Sequence, residues 1–176
     1  MEFPIQQLGG STPGFSKISS QGVIINGRQS IGGVFSGSKF SSAFGYIDAG
    51  ECSAVYYQGN NPTTELPKGT ATYIGDSVYV NNGKATTQTK AVNLMVDFDN
   101  KNLTGTLFVA KDDIAAVTVK EAKLAGNGFE GKAVQNGQEA NLNGKFYGVN
   151  ASELAGAYSD GKGNTGWQGA FGAKKQ

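Results

Sequence analysis

From residue 70 onward the chain alternates. Val92, Leu94, Val96 and Phe98 fall at every second position, a period of two that sets four apolar side chains on one face of a strand. The polar run 99–102 reads as a turn, and residues 103–109 return with the same period. Residues 70–80, rich in β-branched and aromatic types, run into Asn81-Asn82-Gly83, where the Asn-Gly pair is a strong hairpin signal. Further strands are expected over 116–125, 128–134, 139–147, 154–158 and 167–173, separated by turns rich in Gly, Asn and Asp. That makes eight strands at hairpin spacing. Residues 149–154 have room for one helical turn, and no long amphipathic helix is predicted anywhere.

One pattern repeats inside these strands: apolar-x-Gly-x-apolar, at Leu103/Gly105/Leu107, Leu142/Gly144/Phe146, Leu154/Gly156/Tyr158 and Trp167/Gly169/Phe171. All three marked positions face one side, so each run presents two large groups flanking a gap. A gap on an inner wall admits a large neighbour and lets the strand bend, which small closed barrels require. The pattern predicts inward Leu94, Val96, Leu107, Phe146, Tyr158, Trp167 and Phe171, which leave little lumen for a ligand, and outward Asn141, Asn143, Lys145 and Tyr147.

Residues 1–58 read differently. Short apolar clusters at 23–25, 31–35 and 40–47 are interrupted by Gly-Gly, Ser-Gly and Ser-Ser pairs, the pattern of a small irregular sheet or a loop-built subdomain. Residues 59–69, with Pro62 and Pro67 and no apolar period, form the connector, and 70–176 the barrel. The fold class is all-β.

Composition narrows the function. Glycine supplies 27 of 176 residues without a Gly-x-y period, which fits many tight turns and excludes collagen. Fifteen basic against fourteen acidic residues, with no basic tract, argue against nucleic acid as a partner. No apolar run reaches the ~18 residues of a helical membrane span, and no basic-then-apolar signal segment opens the chain. Met1-Glu-Phe-Pro4 therefore reads as the start of an expressed product, or of a chain whose export signal has been removed. A lone cysteine, Cys52, cannot form an internal bridge and leaves the redox compartment open.

Candidate chemistry is sparse. The chain has no histidine, which removes the commonest general base, zinc ligand and protein ligand of haem iron. Cys52 has no base partner in view and reads as a small buried apolar residue. Asp97-x-Asp99 opens like a calcium loop, but Lys101, Asn102 and Phe108 stand at the fifth, sixth and twelfth places, so a solvated turn is the better reading. Asp48, Glu51, Asp112 and Asp113 would serve as a glycosidase pair only if folding set two of them at the right separation; surface charge is the default. Asn150-Ala-Ser152 matches a glycosylation acceptor and equally a turn. The aromatic cluster Phe35, Phe40, Phe44 and Tyr46, with Tyr56 and Tyr57 beyond it, is the candidate binding surface. Nothing points to an enzyme.

Five segments then carry a resemblance. "GTATYIGDSVYV", "LMVDFDNKNLTGTL", "GNGFEGKA", "LNGKFYGVNASELAGAYS" and "GAFGAKKQ", in order and spacing over about residues 56–176, resemble the C-terminal barrel of a family of Gram-negative surface lipoproteins. That family includes transferrin-binding protein B, the neisserial heparin-binding antigen and the haem carriers called hemophilins. "YYQGNNPTTELPKGTATY" looks like the handle-to-barrel junction of the hemophilin branch.

The resemblance implies an eight-stranded barrel behind an N-terminal handle whose loops bind the ligand. It also implies export across the outer membrane by dedicated machinery, and either a lipid anchor on an N-terminal cysteine or release. This sequence departs from it in having Cys52 deep in the handle region, no histidine, and a short handle. The resulting expectation is a non-enzymatic, surface-exposed or secreted bacterial protein without a cofactor. It would capture a host serum protein, a complement regulator or a metal carrier, through Phe35, Phe40, Phe44 and Tyr46. Two alternatives are a haem carrier using Tyr46, Tyr56, Met95 or Cys52 at the iron, and a structural or translocation module.

Overall fold

The computed structural model describes residues 42–48 and 53–176 in full, and the backbone alone of the strands within 15–36. β1 (Phe15–Ile18), β4 (Gly32–Ser36), β5 (Ser42–Asp48) and β6 (Ser53–Gly59) form one antiparallel sheet in the order β1-β4-β5-β6. Between them β2 (Ile24–Ile25) and β3 (Arg28–Gln29) make a separate two-stranded ladder.

The remaining strands close a barrel: β7 (Thr70–Asn81), β8 (Lys84–Asp97), β9 (Asn102–Phe108), β10 (Val117–Ala125), β11 (Gly128–Gln135), β12 (Gln138–Tyr147), β13 (Glu153–Ser159) and β14 (Trp167–Lys175). Each pairs antiparallel with the next, and β14 returns to β7. All-β architecture with an eight-stranded antiparallel barrel is what the alternation predicted. The β7–β8 hairpin turns at Asn82 (φ 48°) and Gly83 (φ 73°), two successive left-handed residues that give the tight reversal a twisted ladder needs.

The glycines of the repeated pattern face inward, and the register explains them. Gly144 lies directly opposite Phe129, Gly156 opposite Phe171, and Gly169 opposite Tyr158. Each aromatic ring lies over the glycine of the neighbouring strand, so a Cβ there would sit 2.2 Å from Phe129 Cζ, 2.6 Å from Phe171 Cζ and 2.3 Å from Tyr158 Cζ respectively. Small opposite large, strand after strand, fills the lumen. Phe146 sits within a cluster of rings, with centroids 5.5 Å from Phe129, 5.6 Å from Phe98 and 6.0 Å from Tyr73. Leu66 from the connector packs onto this core at the end where β7 starts, and Ile114 from the turn after β9 does so at the other.

Three details differ from the expectation. β8 begins at Lys84, because the polar run 84–90 is held as a strand by pairing with β7 rather than by burial of its own side chains. The turn at Val149–Ala151 is 3₁₀ in its hydrogen bonding, yet Asn150 and Ala151 adopt left-handed φ of 54° and 53°. Tyr147 is on the outer phase of β12 but is only 3% exposed, since Gly59 lies against its ring and Pro62 pairs with its backbone. Asn141, Asn143 and Lys145 are exposed as predicted.

Candidate functional site

Along β13 and β14 the inward phase is Leu154, Gly156, Tyr158, Trp167, Gly169 and Phe171; the outward phase is also small or apolar, with Ala155, Ala157, Ala170 and Gly172 all buried. A strand with one wet face would carry polar residues there. This outer wall is instead covered by the handle sheet. Phe44 and Tyr46 of β5, with Val55 and Tyr57 of β6, pack on Val78, Val80, Ala157 and Ala170. Gly172 admits the Phe44 ring: a Cβ at that position would lie 2.7 Å from Phe44 Cδ1. Small side chains on the wall let two sheets approach closely.

Polar contacts pin the edges of this junction. The Ser42 N–H donates to Glu153 Oε2 at 3.1 Å and its hydroxyl to the same oxygen at 3.4 Å, both buried. Tyr57 donates its hydroxyl to Asn143 Oδ1 at 2.7 Å, and the Ser53 hydroxyl meets Asn164 Oδ1. Burial pushes the phenols of Tyr46, Tyr56 and Tyr57 up from their usual range.

The candidate residues distribute as follows. Phe44 (0% exposed) and Tyr46 (4%) lie inside the junction. Phe35 is on β4 with its backbone opposite Gly45, and its side chain, like Phe40, Glu51 and Cys52, is outside the described residues. The haem-ligand candidates do not converge: Tyr46 faces the barrel wall, Tyr56 pairs opposite Gly45 on the other face of the same sheet, and Met95 is 59% exposed on β8 between Thr72 and Thr104. Among the described residues no group of three His, Cys, Asp or Glu could hold a metal ion. Asp97 accepts from Asn100 N–H (2.9 Å) and Asn100 Nδ2 (2.8 Å), bonds that hold its carboxyl below the ordinary value and spend it on closing the turn.

Two of the open surfaces among the described residues lie on the β10–β12 wall and beside the connector. The outer faces of β10 to β12 carry both charge signs, with Lys120 and Glu139 at 2.6 Å and Lys123 and Glu121 at 3.0 Å, a solvated wall. A groove of about 690 Å³ runs between connector residues Asn61 to Lys68 and the turn Gly148 to Asn150. The strap is tied down by Thr63 N–H to Phe146 O and Thr63 Oγ1 to Gly148 O, both 2.9 Å, and Val149 stands 83% exposed at the rim.

A barrel packed solid, with a small sheet laid on its outer wall, is the architecture in hand. The family model for the C-lobe and N-lobe β-barrels of Tf-binding protein B matches residues 54–175. The chain belongs to the transferrin-binding protein B barrel family. Within that family it is 34% identical over 109 residues to the neisserial heparin binding antigen of Neisseria meningitidis serogroup B, covering 60% of this chain and 22% of that protein. It is 27% identical over 164 residues to transferrin-binding protein B of Moraxella catarrhalis, covering 76% of this chain and 23% of that one. The chain thus spans about a quarter of the length of these relatives. Among solved structures it superposes on transferrin-binding protein B of Haemophilus parasuis with a TM-score of 0.68 and 27% identity, over 94% of this chain and 38% of that one. HpuA of Kingella denitrificans, solved in complex with human haemoglobin, shares the fold at a TM-score of 0.68 and 21% identity, over 78% and 55% of the two chains.

The docking wall was missed in the sequence although its signal was there. "ELAGAYS" and "WQGAFGA" have no polar phase in their middle, which marks strands covered on both sides.

Proposed function

We propose that this TbpB-type barrel is a non-enzymatic, surface-exposed or secreted bacterial protein that captures a host protein through its handle. The observation that supports this most is family membership over residues 54–175, with relatives named for binding transferrin and heparin. The packed lumen agrees, since an interior filled by Phe146, Phe171, Tyr158 and Leu107 offers no room for cargo. In this reading residues 1–58 are the handle, 59–69 the connector and 70–176 the barrel. Of the four aromatic candidates, Phe35 and Phe40 would touch the partner, while Phe44 and Tyr46 act from inside by holding the sheet in place. Export machinery and an anchor on the outer-membrane surface belong to the same proposal.

The test is capture from host serum with the purified chain, read by mass spectrometry. Phe35→Ala and Phe40→Ala should each reduce capture at least tenfold, whereas Lys145→Ala on the open barrel wall should leave it unchanged. Enrichment of no serum protein, or a loss confined to Lys145→Ala, overturns the proposal.

A further inference from the structure

The β7–β8 hairpin is longer than the barrel that contains it. β8 pairs with β7 from Lys84 to Asp97, but with β9 only from Asn93 to Asp97. Between the two lies a bulge: Gly75 opposes Val92 and Ser77 opposes Gln88, Lys90 has a left-handed φ of 56°, and its N–H donates to Asp76 Oδ1 at 2.9 Å. Beyond the bulge β9 gives out, and a side chain takes its place. The Gln88 amide accepts from Val109 N–H at 3.0 Å and donates to Val109 O at 2.8 Å, the reciprocal pair a strand neighbour would make. That contact ends the ladder. Past it, the stretch Lys84 to Thr87 has β7 on one side and, among the described residues, no strand on the other.

The direction of the free groups follows from the turn. A two-residue loop at Asn82-Gly83 makes Asn81 and Lys84 a hydrogen-bonded pair, and the alternation then gives Thr86 to Tyr79 and Gln88 to Ser77. Ala85 and Thr87 are the non-bonded positions, so their N–H and C=O groups point away from β7. Among the described residues none of these four groups has a hydrogen-bond partner. Ala85 also packs against the cluster formed by Phe44, Tyr46 and Val80, so the open edge adjoins the handle junction. Lys84 and Lys90 flank it; both are exposed, and neither has an ion-pair partner among the described residues. The acidic pair Asp112-Asp113 lies on the turn beyond Lys111, off the ladder.

We propose that the edge of β8 at Ala85 and Thr87 accepts an extended, acid-flanked segment of a partner protein as an added strand. Main-chain bonds from Ala85 and Thr87 supply the attachment, Lys84 selects a carboxylate at the hairpin end of the segment, and Lys90, beyond the Gln88–Val109 contact, selects one past its other end. The proposal rests on β8 alone and not on the function proposed for the handle.

The test uses the full chain and two capped peptides, Asp-Val-Thr-Val-Thr-Val-Asp and its counterpart with lysine at both ends. By NMR, the Ala85 and Thr87 amides should exchange freely in the protein alone while Thr86 and Gln88 are protected. The acid-flanked peptide should slow Ala85 and Thr87 at least tenfold, and bind at least tenfold more tightly than the lysine-flanked one. Thr87→Pro removes an N–H that β7 does not use, so the fold should persist and binding should be lost. The double variant Lys84→Glu/Lys90→Glu should reverse the peptide preference, which keeps the proposal testable if Thr87→Pro fails to fold. Protection of Ala85 and Thr87 in the free protein, equal binding of both peptides, binding of neither, or a dimer abolished by Thr87→Pro would each overturn it.

Discussion

Gly144→Ala adds one methyl group at a tight point of the barrel wall. Its Cβ would lie 2.2 Å from Phe129 Cζ and 2.7 Å from Phe129 Cε2, and 2.5 Å from the Ala155 carbonyl oxygen. Separations below 3 Å are not tolerated, so something must move. The Phe129 ring can turn aside, but the oxygen lies in the ladder between β12 and β13, so the backbone must shift there as well. That ring is 3% exposed and in contact with Phe146 and Phe171, at 5.5 and 6.3 Å between centroids. Overpacking of this kind costs about 1–3 kcal/mol, and full loss of the ring's packing, about 3–5 kcal/mol, sets the ceiling. Replacing glycine stiffens the unfolded chain and returns about 0.4–1 kcal/mol. The net expectation is destabilisation of about 1–2 kcal/mol, a fall in Tm of about 2–8 °C at this chain length. Urea denaturation followed by tryptophan fluorescence measures it, with Asn141→Ala on the outer phase of the same strand as a control expected within about 0.5 kcal/mol. Combining Gly144→Ala with Phe129→Ala separates ring from carbonyl: if the ring is the obstacle, the glycine substitution costs at least 1 kcal/mol less in that background. A Gly144→Ala protein as stable as its parent, or strictly additive costs, would refute the reasoning.

Other expectations follow from the same structure. Phe44→Ala empties the space over Gly172 and should cost about 3–5 kcal/mol in the stability of the handle sheet, read as faster amide exchange in β5 with the barrel amides unchanged; equal loss in both would show one cooperative unit. Asp97, held low by Asn100, contributes stability that is present above the unfolded pKa and lost as pH falls through the lower folded value; its carboxyl titration by NMR should have a midpoint under 3.8, and Asn100→Ala should raise it. Burial raises the phenols of Tyr46, Tyr56, Tyr57, Tyr73, Tyr79 and Tyr158, so little phenolate absorbance should develop at pH 10, and it should then appear together with unfolding because raised pKa values make alkaline pH destabilising. A smooth titration near pH 10 in the folded protein would contradict the burial of those rings.

Local chemistry in the sequence was enough for the barrel. Period-two alternation at Val92 to Phe98, the Asn-Gly turn at 82–83 and the inward glycines at 144, 156 and 169 depend on neighbours along one strand or across one turn, and those relations survive in any context. What alternation cannot supply is the identity of the group across a gap. That Phe129 fills the space at Gly144, and Phe171 the space at Gly156, is a matter of register, which the closed ladder decides. The outer wall shows the same division more sharply. Ala155, Ala157, Ala170 and Gly172 announce a covered face, but only the tertiary fold lays Phe44 and Tyr46 on it, turning two residues that read as a surface cluster into the inside of a junction. Tyr147 lost its exposure for the same reason, through the strap at Gly59 and Pro62. The open edge of β8 lies furthest from the sequence, because a strand's unpaired side is defined by where its neighbour stops. β9 stops being a partner at Thr106, and nothing in residues 84–90 records that. Side-chain periodicity is a property of one strand, whereas burial on its outer face and freedom along its edge belong to the elements packed around it.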